Sequence, residues 1–519
     1  MAFNDDLTGM NDADEALFHE SVRRGPGLTA TTASAFAAPR QRRLGTASKL
    51  FYGFGSVAFG VKDNGFSYLL LLFYNQVVGL PATQVGLALM IALVFDAVID
   101  PMIGQFSDTL RTRWGRRHPL MYAAALPMAV CYLALWNPPH WDHKALFWYL
   151  LGMAILIRGI VSFYEVPSAA LAAEFSTSYD ERSVLLSYRY FFAWVGGLAI
   201  NLLAFAVLLA PDATHKVGQL NPVGYAKYGV VASIVIFVSI VVSTAGTHKQ
   251  IPYLMAPPPK RRLTLPQVVG EMGHSLNNRS FLFLMAAGVT AAMATGLGAS
   301  LNNYFNTFFW GFTARQISLL TLGVVLSAII ALPVAPLLSR GLGKRATAIG
   351  FTILSVVVGL GPLFLRVAGL MPPNGSPVLL GILLCTSIIT TTFIIIASTM
   401  GASMVADVVE AAELKTGRRS EGLFFAASAF IAKSVSGFGI LAASLLINAI
   451  HLHPGVNPAA VSPTVTRNLA LVYAPTIIAL HAIGLTLLLG YKINRASHQE
   501  TLRQLAAEAE EAAHPIMTP

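Results

Sequence analysis

The stretch Phe95–Pro119, FDAVIDPMIGQFSDTLRTRWGRRHP, joins an apolar run to a burst of arginines. Asp96 and Asp100 lie inside the apolar part, and Arg111, Arg113, Arg116 and Arg117 close it. A long apolar segment ended by basic residues is the pattern of a helix that crosses a bilayer and stops at the side where positive loops remain. Two carboxylates inside such a segment then need a physical reason.

Runs of the same kind recur along the 519 residues, at 50–79, 83–107, 119–137, 146–173, 185–210, 228–247, 281–310, 316–339, 347–366, 377–405, 422–450 and 468–491. The chain is 55% hydrophobic and only 12% charged, against about 25% charged in soluble domains. Such a chain cannot cover a water-facing surface. In lipid every backbone group must be satisfied within its own segment, so each run is expected to be a helix. The short alternating segments of a membrane barrel are absent from the sequence. The expected fold class is an all-α polytopic membrane protein with twelve transmembrane helices in two six-helix bundles.

The net charge is +10, which alone would allow nucleic-acid binding. Its placement argues against that partner. Arg40, Arg42, Arg43 and Lys49 precede the first run; Lys260, Arg261 and Arg262 follow the sixth. Arg340, Lys344 and Arg345, then Lys415, Arg418 and Arg419, then Lys492 and Arg495 fall on the same side as the Arg111–Arg117 loop. The opposite loops hold only Lys144, Lys216, Lys227, Arg315, Arg366 and Arg467. The positive-inside rule places both termini in the cytoplasm, which requires an even number of spans.

The proline-rich, basic connection after the sixth run divides the chain. The expected layout is a cytoplasmic tail 1–48, a first bundle 49–247, a linker 248–280, a second bundle 281–491 and a tail 492–519. The first tail is polar, with no cleavable signal, and is expected to be disordered, so the first span would direct insertion. SRGLGKRA after the eighth run faintly echoes the arginine loop after the second. Two bundles around a midplane site describe many secondary transporters. Trp136, Trp141, Trp148 and Trp310 suit interface anchoring. Cys131 and Cys385 lie in runs of opposite halves, so no disulfide framework is expected.

Eight charges interrupt the runs: Lys62, Asp63, Asp96, Asp100, Arg158, Glu165, Arg189 and Lys433. Each costs about 2.5–3.5 kcal/mol at a helix centre. They must therefore face one another, water or a ligand. Asp96 and Asp100, four apart, share a helix face. Like charges there repel unless a cation or proton intervenes, which suits a coupling site. The pair would supply the metal ligands if Na⁺ is the ion. Glu165 precedes Pro167, and could join that site or accept hydroxyl hydrogen bonds. Arg189 offers a donor fork, and Lys433 is the natural counter-ion of the acids. Asp63 suits a bidentate hydroxyl acceptor, with Lys62 beside it. Arg158 reads as a structural partner. Asn302, Asn303 and Asn306 could add polar ligand contacts from the second half. Asp108 could latch with Arg116 and Arg117 as a gate. No phosphate loop, zinc spacing or nucleophile motif is present, so an enzyme is not expected and no cofactor is implied.

Four stretches carry a resemblance: KDNGFSYLLLLFYNQVVGL, the arginine-loop segment above, EVPSAALAAEFSTSYDERSVLLSYRYFF and ADVVEAAELKTGRRSEGLFFAASAFIAKSVSG. Over 46–495 the chain resembles the glycoside–pentoside–hexuronide:cation symporters of the major facilitator superfamily, the melibiose permease group. The resemblance implies that Asp96 and Asp100 are cation-site aspartates, that Glu165 bridges the cation and sugar sites, that Asp63 and Arg189 bind sugar, and that Lys433 neighbours the cation site. Glu165 stands where the permease has Asp, Ser168 where the family usually has an aromatic, and Ile99 where sodium-using members have Asn. Loss of that neutral oxygen makes H⁺ the expected coupling ion. The implied activity is uptake of a sugar or glycoside across the inner membrane by a monomer, with a lysophospholipid as the alternative substrate.

Overall fold

The computed structural model describes residues 44–176, 179–254, 279–416, 421–491, 493, 499–501 and 503–505. The first 43 residues, Lys260–Arg262, Arg418, Arg419, Lys492 and Arg495 lie outside the described residues.

Twelve helical spans make up the described chain. The first, α1, is built from Thr46–Phe54, Ser56–Asn64, a π-helical turn Gly65–Leu69, Leu70–Leu72 and a second π turn Phe73–Val77. Then come α2 (Ala82–Thr109), α3 (His118–Leu135), α4 (His143–Phe175), α5 (Tyr179–Leu203, extended by the π turn Ala204–Leu208) and α6 (Pro222–His248). The second half has α7 (Arg279–Tyr304, extended by the π turn Phe305–Phe309), α8 (Ala314–Leu342), α9 (Lys344–Val367), α10 (Pro377–Thr416), α11 (Glu421–Ala449) and α12 (Pro463–Leu488). Eleven of the spans are long and apolar enough to cross a bilayer as single helices; α1 is the twelfth, broken by its π turns. Among the described residues there is no strand, only an isolated bridge between Thr112 and Gly115.

Several helices run past their apolar runs. Lys227, expected in a loop, lies in the second turn of α6, because Asn221 accepts from Val223 N and Pro222 opens the helix. Side-chain oxygen on an early amide, followed by proline, is a strong start signal that hydropathy does not register. Likewise α10 continues to Thr416, beyond its last hydrophobic turn.

The second half repeats the first. Within one bundle α1 packs on α5 and α6, α2 on α4, and α3 on α4 and α6. Within the other, α7 packs on α11 and α12, α8 on α10, and α9 on α10 and α12. The bundles meet along α2–α11 and its counterpart α5–α8, and along α1–α7. Close approach repeats too. A Cβ at Gly60 of α1 would strike the Ala193 carbonyl of α5, and one at Gly439 of α11 would strike the Met293 carbonyl of α7. Small residues bring helix backbones together where lipid supplies no hydrophobic drive. The repeat is also visible at the ends of α1 and α7, FYNQVVGL (73–80) against FNTFFWGF (305–312). Each forms a π turn, and Gly79 and Gly311 both take positive φ, +94° and +63°.

Among the described residues, the basic turns Arg111–Arg117 after α2 and Lys344–Arg345 after α8 open on one face, the basic face; the C-terminal ends of α1 and α7 lie on the other. The bundles are joined at that opposite end. One apolar core fills the first bundle and continues through Leu297, Leu301, Tyr304, Phe308, Ile440 and Ile447 of the second. Toward the basic face the second bundle has its own core, around Phe281, Met285, Ile396, Met404 and Val408. Buried polar groups reinforce the junction. Tyr304 donates to Asn75 Oδ1 (2.9 Å), Asn303 Nδ2 to the Tyr68 carbonyl (2.7 Å), and Gln76 Nε2 to the His453 carbonyl (3.2 Å). Gln219 Nε2 donates to the Phe312 carbonyl (2.7 Å). The molecule is therefore closed at the opposite face, and its two cores are separate toward the basic face.

Gly439→Leu should prevent α7 and α11 from closing. The expected result is loss of the monodisperse peak in size-exclusion chromatography. Gly381→Leu, on an open face of α10 with nothing within 4 Å of the added carbon, should preserve that peak.

Candidate functional site

The interrupting charges converge near the midpoints of α1, α2, α4, α5 and α11. Arg158 of α4 donates Nη1 to Asp96 Oδ2 of α2 at 3.0 Å, and both residues are buried. One turn on, Ser162 Oγ lies 2.6 Å from Asp100 Oδ1 and 3.3 Å from Asp96 Oδ1. The same hydroxyl also lies 3.0 Å from the Arg158 carbonyl, and with a single proton it donates to one of these acceptors at a time. Lys433, from α11 of the other bundle, donates to Asp100 Oδ2 at 2.6 Å and lies 3.6 Å from Asp96 Oδ2. The spacing of the two aspartates places both on the α2 face that meets α4 and α11, as a shared helix face requires.

A second cluster lies beside the first. Arg189 of α5 donates Nη2 to Glu165 Oε1 at 2.5 Å and Nη1 to Ser168 Oγ at 2.6 Å. The Tyr52 hydroxyl donates to the Ser168 carbonyl at 3.0 Å, and the Arg189 guanidinium stands over the Tyr52 ring at 5.6 Å. Glu165 is thus held by Arg189 and makes no hydrogen bond to the aspartate pair. Its Oε2 is buried with no hydrogen-bond partner. Asp63 has a side chain 50% exposed, whereas Lys62, 3.8 Å away, is buried. The Lys62 ammonium lies over the Phe59 ring at 4.5 Å.

Among the α7 asparagines, the hydrogen bonds of Asn303 and Asn306 go to α1 and to α7 itself. Asn303 ties α7 to α1 at the closed end, and Asn306 donates to Asn302 within its own helix. Asparagine inside an apolar run signals only a hydrogen bond that must be made; here the backbone of α1 satisfies it.

At the basic face Arg117 donates to Asp108 (2.5 Å), Ser107 (2.8 Å) and Glu174 (2.8 Å), and Arg116 pairs with Glu174 at 2.9 Å. These contacts bind the ends of α2, α3 and α4 to one another inside the first bundle. In the second bundle Lys344, between α8 and α9, donates to Asp407 of α10 at 2.5 Å. Glu174 and Asp407 were absent from the residues expected from sequence. The signal was available: each is an acid at the basic-face end of an equivalent helix, facing the basic turn two helices earlier in the repeat. Ser162, Ser168 and Tyr52 were also missed. Ser162 follows Arg158 by four, which places it on the same face.

Two bundles related by a repeat, closed at one end, with paired charges at the midplane between them, define a membrane carrier. A model of the family described as MFS/sugar transport protein matches residues 51–495. The chain belongs to that family and is a multi-pass membrane transporter. An uncharacterized symporter of Synechocystis is 26% identical over 90% of this chain and 97% of its own length. The isoprimeverose transporter of Lactiplantibacillus pentosus is 23% identical over 74% of this chain and 76% of its own. Among solved structures, a D-xylose–proton symporter superposes with TM-score 0.54 at 15% identity, covering 83% of this chain and 96% of its own. That likeness establishes the major facilitator fold.

Removing one partner of a paired buried charge costs about 3 kcal/mol or more. Arg189→Ala should therefore lower thermal stability in detergent markedly. Adding Glu165→Gln to it should recover much of the loss, because the unpaired charge goes with its partner. Equal losses in the single and double variants would show that the pair contributes little.

Proposed function

We propose that this protein couples inward movement of a proton to uptake of a sugar or glycoside across the cytoplasmic membrane, by alternating access, with both termini in the cytoplasm. The observation that carries the reading is the Lys433–Asp100 contact, an ion pair between the two bundles at the midplane. Asp100 and Lys433 are partly exposed, 24% and 33% by side chain. A cation arriving at Asp100 weakens its hold on Lys433 and so weakens a bond between the halves. The binding event thereby has different energies in the two arrangements, which is what coupling requires. In this reading the described state opens to the cytoplasm, because the closed end is the one opposite the basic loops.

Asp96, Asp100, Glu165 and Lys433 form the coupling centre, and Asp63, Glu165 and Arg189 the substrate side. The half-exposed Asp63 carboxylate and the unpaired Glu165 Oε2 are acceptors suited to hydroxyl groups. Arg189 orients Glu165 through Nη2 and holds Ser168 through Nη1. The proton is favoured over Na⁺ by Ile99, which supplies no side-chain oxygen next to Asp100. Asp108, Arg116, Arg117 and Glu174 hold the basic-face end of the first bundle together, so that it moves as a unit. One chain contributes both halves of the site, which supports action as a monomer.

Reconstituted vesicles with an imposed pH gradient or Na⁺ gradient test the proposal. A pH gradient should drive concentrative uptake of a labelled pentoside or glycoside. Asp100→Asn should abolish accumulation while leaving equilibration in place. Accumulation of a lysophospholipid instead, or full accumulation by Asp100→Asn, would overturn the assignment.

A further inference from the structure

The two aspartates of α2 are not equivalent. Asp96 is buried and receives Arg158, also buried, at 3.0 Å. Both residues belong to the first bundle, so rocking of the bundles leaves their contact intact. Asp100 is wetter and receives Lys433 from the other bundle, so its contact must change when the halves separate. A guanidinium stays charged at any pH a cell experiences. Arg158 therefore cannot release Asp96 by losing a proton. The Phe66 ring of α1 lies 5.0 Å from the guanidinium and helps hold it. Lys62 adds a further buried positive charge whose field reaches Asp96.

The Oδ2 atoms of the pair face charged nitrogen donors, and the Oδ1 atoms share the one hydroxyl of Ser162. Asp96 Oδ2 faces Arg158 and, further off, Lys433; Asp96 Oδ1 and Asp100 Oδ1 face Ser162; Asp100 Oδ2 faces Lys433. A hard metal cation needs a shell of oxygen ligands directed at it. Here nitrogen donors and their charges take both Oδ2 atoms, which leaves only the two Oδ1 atoms and Ser162 Oγ to face a metal. A proton needs a single lone pair.

We propose that Arg158 is a built-in cation that takes the place of a metal ion at Asp96, and that it determines the ion specificity of this carrier by making it indifferent to Na⁺. The inference rests on the reading of the α2 pair as the coupling centre, and it adds a specificity-determining residue to that centre. It implies that Asp100 is the exchangeable member of the α2 pair.

The test is Na⁺ binding without any transported substrate, so failure of the sugar assignment leaves it unaffected. Thermal unfolding of the purified full chain is compared in NaCl and in equal choline chloride, alongside binding of radioactive sodium. The wild type should unfold identically in the two salts and bind no sodium. Arg158→Ala should unfold earlier in choline and shift upward in NaCl. Arg158→Lys, which keeps a cation, should remain indifferent. Arg158→Ala/Asp96→Asn should lose the sodium response. A sodium-specific shift in the wild type that Asp96→Asn removes would overturn the proposal. So would indifference of folded Arg158→Ala to Na⁺. If Arg158→Ala cannot be purified, Arg158→Gln, which removes the charge and keeps much of the volume, takes its place with the same expected sodium response.

Discussion

The arrangement depends on one ion pair, Lys433 to Asp100, made at the midplane across the boundary between bundles. Charge in a lipid interior is tolerated only when it is paired, hydrated or used. Together with the longer Lys433–Asp96 contact, this pair joins two bodies that are also held by apolar packing and neutral hydrogen bonds at the opposite end. Its strength is tied to whether the halves are together at the centre. Any ligand that competes for Asp100 therefore acts on the position of the bundles as well as on a side chain.

Around that contact the molecule separates permanent pairs from conditional ones. Arg158–Asp96, Arg189–Glu165 and the Arg116–Arg117–Glu174 cluster each stay within the first bundle, and Lys344–Asp407 stays within the second. These pairs stiffen each bundle, and breaking them exposes uncompensated charge. The opposite end is closed by amides and hydroxyls, from Asn75, Gln76, Gln219, Asn303 and Tyr304. Neutral hydrogen bonds cost little to exchange for water, about 1 kcal/mol each in net terms. A gate made of them can open without leaving a buried ion alone.

The repeat accounts for where these pieces fall. The same helix contacts recur in both halves, so the acid at the end of α4 and the acid of α10 meet equivalent basic turns. The halves differ where function needs a difference. The intramembrane acids Asp96, Asp100 and Glu165 stand in the first bundle, and the second contributes Lys433. A symmetric scaffold thus holds an asymmetric site, with carboxylates on one side and the Lys433 cation on the other.

Hydropathy and charge placement alone determined that the chain is a twelve-span helical membrane protein in two halves, because lipid leaves a backbone few options and positive loops mark one face. The cost of intramembrane charge likewise singled out Asp63, Asp96, Asp100, Glu165, Arg189 and Lys433. Sequence left the partners open. Glu165 meets Arg189 where α4 and α5 cross, and Asn303 donates to the backbone of α1. Those outcomes depend on which helix faces which, and on a few ångströms of reach between side chains far apart in the chain. Spacing along one helix fixes a face but cannot say what stands opposite, and only the tertiary packing decides that.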